Sequence, residues 1–421
     1  MIKEKIINYK RIALRKSMRY WSTIILILGF SAYVTAGMHG ATASQNSMEM
    51  QSSCSELTDD MHSDRCDGFL KEVDTSIENS ISFLKERQLP SGGFPAYISK
   101  SPDMSNSVYI PLVFDTSFIL HALNFVDLNS EADGIKSKLV EYLLANKEDP
   151  GVWRFYGKNP IIPPDSYLLV DPYIPPDLDD TSVAFASLRE NGIPVEDDGM
   201  EYALNFRAPD GLFYTWMNEE KWLNKSDPLY FYYKQNDIDI VVNANMLYAL
   251  SLDGKQAPEV SGYLNSYIAN NSFTDPTIYY NDPYIQLYMF TRAYADGHVK
   301  DLEPSMPVIR RYLLSTQKPD GSWGNEINTS LAAVSLLNTG YKGKALDNAI
   351  EYIMSTQRND GGWAEIGVST GGIWPVYIGS EDFTTAFSLE ALGKYSELHR
   401  RILHRRIDNK DEQKKFKVLK T

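Results

Sequence analysis

The chain has 421 residues, 43% of them apolar and 12% aromatic, and a formal net charge of −14. That apolar fraction excludes global disorder and supplies a large core. The charge is uneven: residues 1–43 and 394–421 each carry +6, so residues 44–393 carry −26. An acidic body repels phosphate backbones, and no nucleic-acid partner is expected.

In chain order, residues 1–43 read as a signal peptide or an N-terminal membrane anchor. Seven Lys or Arg precede an apolar run that begins at Tyr20, and Ala41-Thr-Ala43 offers a small-x-small cleavage site. The run is about as long as a membrane span requires. Cleavage and retention both fit. Either way the basic flank stays inside, so the rest of the chain is expected outside the cytoplasm, exported (periplasmic or extracellular) or membrane-anchored. Residues 44–73 lack periodicity and read as a linker. They hold the only two cysteines, Cys54 and Cys66, which an oxidising compartment would allow to pair. The six His show no HxxH spacing and no CxxC occurs, so no zinc site is expected, and no cofactor or other metal is called for.

From 74 to 395 amphipathic helical stretches alternate with Gly, Pro and Asp turns. One pattern recurs without gaps: Tyr or Phe, then Gln, Lys or Arg five residues later, Gly four later and an aromatic two later. It runs Phe83-Gln88-Gly92-Phe94, Tyr142-Lys147-Gly151-Trp153, Tyr202-Arg207-Gly211-Phe213, Tyr312-Gln317-Gly321-Trp323 and Tyr352-Gln357-Gly361-Trp363, with a degenerate copy from Tyr263. Each copy predicts the end of one helix, a Gly turn, an aromatic anchor and a second helix. The long polar residue is placed to bond backbone groups of the turn. The second helices are predicted at 116–127, 180–192, 239–253, 282–296, 328–339 and 383–394. Most are small and apolar and suit an inner ring. Six such pairs predict an all-α, (α/α)6 barrel. Residues 396–421 form a basic C-terminal tail, either a solvated terminus or a contact for an anionic membrane surface.

Gln317-Lys-Pro-Asp-Gly-Ser-Trp323 and Gln357-Arg-Asn-Asp-Gly-Gly-Trp363 resemble the Q-x-x-D-G-x-W motif of the squalene/hopene cyclase and prenyltransferase repeat superfamily. The resemblance covers about 75–395 and implies an α/α-toroid; in that superfamily the motif is largely structural. Asp177-Leu-Asp179-Asp180-Thr-Ser182 resembles the D-x-D-D-T-A/S signature of class II terpene cyclases. It implies Asp179 as general acid, with Asp177 and Asp180 as partners, and an isoprenoid lipid as substrate. The chemistry suits the residues. An alkene is a weak base, so its acid must be desolvated, fixed and protonated, and crowded carboxyls raise one another's pKa. Aromatic faces stabilise the cation formed, and Tyr167, Tyr173, Tyr214, Trp216, Tyr230, Phe231, Tyr232, Tyr279, Tyr280 and Trp374 are candidates for that wall. The superfamily's zinc-dependent prenyltransferases are set aside for want of Cys and His ligands.

The plain alternative makes Asp180 an ordinary helix cap, like Asp115 and Asn328 before similar runs. Asp115, Asp237, Asp239, Asp282, Glu381 and Asp382 all fall at predicted inner-helix starts, where an acid site, a Ca²⁺ site or solvated capping all fit. Three readings therefore stand: a terpene-cyclase-like enzyme, a glycan hydrolase or lyase on the same barrel, and a non-catalytic exported binding toroid.

Overall fold

In the computed structural model the described residues are 60–126, 130–160, 174–195, 198–227, 229–372 and 374–418. Six helices form an inner ring: α2 (Val113–Ala122), α4 (Leu178–Glu190), α7 (Ile240–Leu252), α9 (Pro283–Ala295), α11 (Glu326–Asn338) and α13 (Glu381–Val418). Each packs on the next, and α13 returns to α2, so the ring closes. Outside lie α1 (Asp60–Arg87), α3 (Ser130–Ala145), the short α5 (Gly199–Ala203), α8 (Pro258–Ala269), α10 (Met306–Thr316) and α12 (Lys344–Ser355). The chain thus folds as the expected all-α toroid of six helix hairpins. The inner helices are buried on nearly every side, because each faces two ring neighbours, an outer helix and the ring axis.

The repeated residues hold the hairpins together. Gln317 Nε2 donates to Gly321 O in its own turn (2.9 Å) and to Ala345 O in the next outer helix (2.7 Å). Gln88 bonds Gly92 O and Ile135 O, and Gln357 bonds Gly361 O and Ser76 O, in the same way. Trp153, Trp323 and Trp363 each donate their indole N–H to the carbonyl ten residues earlier, at 2.8, 3.0 and 2.9 Å. Their backbone N–H groups donate to Thr181, Thr329 and Thr385 on the following inner helices. The glycine is required twice over at Gly361: φ is +89°, and a Cβ there would lie 2.2 Å from Asn79 O of the neighbouring helix. In the degenerate copy Asn271 takes the left-handed turn (φ 53°) and Phe273 fills the aromatic position.

Three features depart from the sequence reading. The stretch read as a linker to residue 73 is helical from Asp60, and the tail is helical to Val418. The two extensions support each other: the Phe69 and Tyr395 rings meet edge-on at 5.9 Å, and Arg400 forks onto Asp74 at 2.7 Å. Cys66 is buried and disulfide-bonded, while Cys54 lies outside the described residues. A four-stranded antiparallel sheet, ordered β2-β1-β4-β3, was not anticipated. It joins β1 (Pro95–Ser99) and β2 (Val108–Pro111) to β3 (Gly367–Gly371) and β4 (Trp374–Gly379), with Ile98 opposite Ile378. Among the described residues no helix is long and apolar enough to cross a membrane; the apolar run at the N-terminus lies outside them.

Candidate functional site

The ring axis is plugged at mid-height by aromatic side chains. Phe114, Phe118, Phe383, Phe387 and Tyr288 pack with centroids 4.8 to 6.2 Å apart. Above this plug, at the N-terminal ends of the inner helices, a cavity opens. Its void, with the open mouth and the solvent space at that mouth included, is about 810 Å³. The sheet walls one side through Ile98, Val376 and Ile378. Trp216, Tyr232, Tyr279 and Tyr280 line it as expected, and Phe114, Phe155, Tyr156 and Tyr233 join them unanticipated. Tyr214 and Tyr230 are not part of the lining, and Phe231 is 80% exposed. Tyr167, Tyr173 and the Trp374 side chain lie outside the described residues.

Asp177, Asp179 and Asp180 all line this cavity, each at most 8% exposed. Their roles differ from the plain alternative. Asp177, not Asp180, caps α4: its extended backbone precedes the helix, and its Oδ1 accepts from Asp180 N at 2.8 Å. The Pro175-Pro176 lead-in explains the shift, since proline holds the preceding backbone extended and delays the helix until Leu178. Asp179 then falls in the first turn, facing inward. Its Oδ1 accepts from Asn245 Nδ2 (2.7 Å), and its Oδ2 accepts from the Tyr280 hydroxyl. Asn245 is itself oriented by Arg292, whose Nη2 donates to Asn245 Oδ1 at 2.7 Å. Asp180 Oδ1 is buried without a hydrogen-bond partner.

Burial in this apolar setting pushes the Asp179 carboxyl up to about 7, against the pull of the Tyr280 and Asn245 donors. Asp180 is raised well above the ordinary carboxyl range by its desolvation, with Asp177, Asp179 and Asp115 adding to the effect. Asp177 is raised by desolvation despite its cap bonds. Asp115 is pushed up to about 7 by burial and by Asp382. Four carboxyls thus share a dry space in which ionising all of them is opposed.

The other acids at the helix starts do not join this group. Asp239 and Asp282 cap α7 and α9 by accepting from Val241 N and Tyr284 N, both at 2.8 Å. Asp382 accepts from Arg87 Nε at 3.1 Å, and Glu381 pairs with Arg358. Asp237 lies behind the cavity wall, where it accepts from Thr215 Oγ1 (2.5 Å), Trp216 Nε1 (3.2 Å), Tyr279 OH (2.8 Å) and Tyr232 OH (3.4 Å). Ordinary capping therefore accounts for two of the six acids at inner-helix starts.

Below the plug the inner helices bury a second polar cluster that sequence reasoning missed. His121 Nδ1 meets Glu190 Oε2 at 2.6 Å, and Lys394 Nζ meets Glu390 and Asp296 at 3.1 and 2.7 Å. His121, Asp296 and Glu390 have metal-ligand spacing, yet the Lys394 ammonium already holds the two carboxylates. A signal existed: His121 and Arg292 each fall near the C-terminal end of an inner helix, and Glu390 sits within the Phe383–Leu392 stretch of α13, where the neighbours are mostly small or apolar.

No protein-family model and no curated protein matches this sequence. Solved structures do. A protein from Actinoplanes aligns with TM-score 0.58 and 17% identity over 76% of this chain and 99% of its own. The type II terpene cyclase MstE from Scytonema, without ligand, aligns with TM-score 0.58 and 15% identity over 78% and 99%. A variant of MstE holding its substrate, geranylgeranyl dihydroxybenzoate, gives 0.58 and 16% over 78% and 98%. At these identities the likeness establishes the fold, a terpene-cyclase-like toroid.

Proposed function

We propose that this chain is a proton-initiated cyclase of polyprenyl lipids, with Asp179 as the general acid. The observation that carries the reading is a carboxyl pushed up to about 7, facing an aromatic, largely apolar cavity and bonded to two donors. Burial keeps the proton on Asp179 near neutral pH. The Asn245 and Tyr280 donors stabilise the carboxylate left after the proton departs, so the group is both charged with a proton and ready to lose it. MstE, of like fold, is a type II terpene cyclase, which agrees with this assignment.

In the step envisaged, the Asp179 O–H bond breaks and its proton forms a C–H bond at one carbon of the chain's terminal alkene. The other alkene carbon becomes a tertiary cation, and Asp179 becomes a carboxylate. The next alkene supplies the electron pair that closes a ring and passes the cation along the chain. Loss of a proton to water ends the sequence. Phe114, Trp216 and Tyr280 are among the rings that line the cavity and supply π-systems to stabilise the cation. Asp177 orients α4 and its first turn, and Asp180, whose burial opposes its ionisation, resists adding a negative charge beside the acid. Asp177 and Asp180 are thus positioning residues.

Incubation of the purified chain in D₂O with squalene, geranylgeraniol and geranylgeranyl diphosphate tests this reading. A cyclic isomer carrying one carbon-bound deuterium is expected from at least one of them, and none from Asp179→Asn. Absence of any cyclised product, or equal product from the variant, defeats the reading.

A further inference from the structure

The polar groups of the cavity select the head of its ligand. Resting on the polyprenyl reading of this site, we infer that the substrate is a polyprene with an uncharged, hydrogen-bond-donating head, an alcohol or phenol, and that prenyl diphosphates are rejected.

Charge is the first argument. The lining holds three carboxyls and, among the described residues, no Lys, Arg or His. Residues 161–173, outside the described set, contain none of the three either. Two cations on neighbouring elements are already paired. Arg154 Nε meets Glu148 at 2.6 Å and its Nη1 donates to Ile174 O, while Lys234 pairs with Glu220 at 3.3 Å. The N-terminus of α4 opens on the cavity, but Asp177 already caps it. A diphosphate entering here would shed its water and find no counter-charge, in a chain whose residues 44–393 carry −26 and repel it at long range.

Hydrogen-bond polarity is the second. Tyr232 and Tyr279 line the cavity with their hydroxyl oxygens 2.9 Å apart. Both hydroxyls lie within donating distance of Asp237 Oδ2, which also takes the Trp216 indole N–H. The shorter contacts run as a chain, Tyr232 OH to Tyr279 OH at 2.9 Å and Tyr279 OH to Asp237 Oδ2 at 2.8 Å, so both protons are engaged and lone pairs of this pair are left for a ligand. The two hydroxyls thus match a donor such as an O–H and mismatch phosphate oxygens, which only accept.

The test uses the full-length Asp179→Asn chain, which binds without turnover. Dissociation constants are measured in detergent for geranylgeraniol, its methyl ether and geranylgeranyl diphosphate, at low and high salt. The alcohol should bind at least about tenfold more tightly than the diphosphate at low salt, with the gap narrowing as salt screens the repulsion. The ether, lacking the donor, should bind more weakly than the alcohol. In Asp237→Asn the preference for alcohol over ether should shrink. Diphosphate binding equal to or tighter than alcohol binding overturns the inference, as does binding of none of the three. Selective alcohol binding by a chain that cyclises nothing leaves the inference standing and removes the cyclase reading instead.

Discussion

Asp179 and Glu390 are both carboxyls on inner helices, 8% and 1% exposed, yet burial moves Asp179 up to about 7 while Glu390 is held near 2. Desolvation acts on both. Below the plug it is outweighed by the Lys394 ammonium and by His121, itself pushed up to about 9 by Glu190 and Glu390 against its own burial. Above the plug, among the described residues, no cation lines the cavity that holds Asp177, Asp179 and Asp180. The lower cluster carries Arg292, His121 and Lys394 against Glu190, Glu390 and Asp296, and His121 and Arg292 sit in the last turns of their helices, where cations are favoured. Identical side-chain chemistry thus yields a neutralised strut at one end of the ring and a retained proton at the other. The difference lies in the partners, not in the depth of burial.

The largest expected effect breaks the upper end alone. Asp179→Asn should lower the cyclisation rate by about 10²–10⁴-fold while leaving the urea midpoint unchanged or raised, because it removes a buried acid with charged neighbours. Breaking the lower end should do the reverse. Glu390→Gln takes one of two carboxylates from each of Lys394 and His121, leaving Asp296 and Glu190, and should cost about 3 kcal/mol of stability, read by urea unfolding. Asp180→Asn, at the upper end, should cost none. If the two variants destabilise equally, the contrast between the ends is wrong.

The pH dependence sharpens the comparison. A carboxyl raised from 3.8 to about 7 in the fold binds its proton more tightly folded than unfolded. Its stabilisation is therefore complete below 3.8 and falls as pH rises toward about 7. Glu390 behaves oppositely: its contribution is present above 4.5 and is lost as pH falls toward about 2. His121 contributes fully below 6.5, and that contribution is lost as pH rises through about 9. Asp179→Asn should flatten the decline in unfolding midpoint between pH 3.8 and about 7, and His121→Gln should flatten the decline between 6.5 and about 9. Cyclisation, which needs protonated Asp179, should fall as pH rises through about 7.

A smaller effect tests the link between the two ends. Arg292 belongs to the lower cluster but reaches Asn245, which bonds Asp179. Asn245→Leu removes a donor that lowers the acid's pKa. The rate should fall about tenfold, as for about one unit of acid strength, and the alkaline limb of the pH profile should move upward. The smallest effect belongs to the repeat. Gln317→Ala leaves Gly321 O and Ala345 O without their partner and should cost about 1–3 kcal/mol of stability with no change in the pH profile.

Much of the ring was legible because each hairpin repeats its own signal. Five of the six inner helices lie within about five residues of the predicted spans, since the Gly turn and the following apolar run fix them locally; the sixth starts where expected but runs on to Val418. The sheet was not legible: β1 and β4 are short and lie some 270 residues apart in the chain, so their pairing depends on ring closure. The triple-Asp segment was found by its motif, but the bond from Asn245, 66 residues away, has no local trace. Which aromatic rings face inward is likewise decided by closure. Phe114 lines the cavity from the first turn of α2, while Phe231, in an equally aromatic stretch, points to solvent.

The most direct test of the central claim needs no substrate. Infrared difference spectra of the unmodified chain against Asp179→Asn, recorded across pH, report the protonated carboxyl C=O band of that one side chain. The band should persist through mildly acidic pH and vanish with a midpoint of about 7. A midpoint at the ordinary carboxyl value of 3.8 would mean that Asp179 is ionised at neutral pH and holds no proton to give.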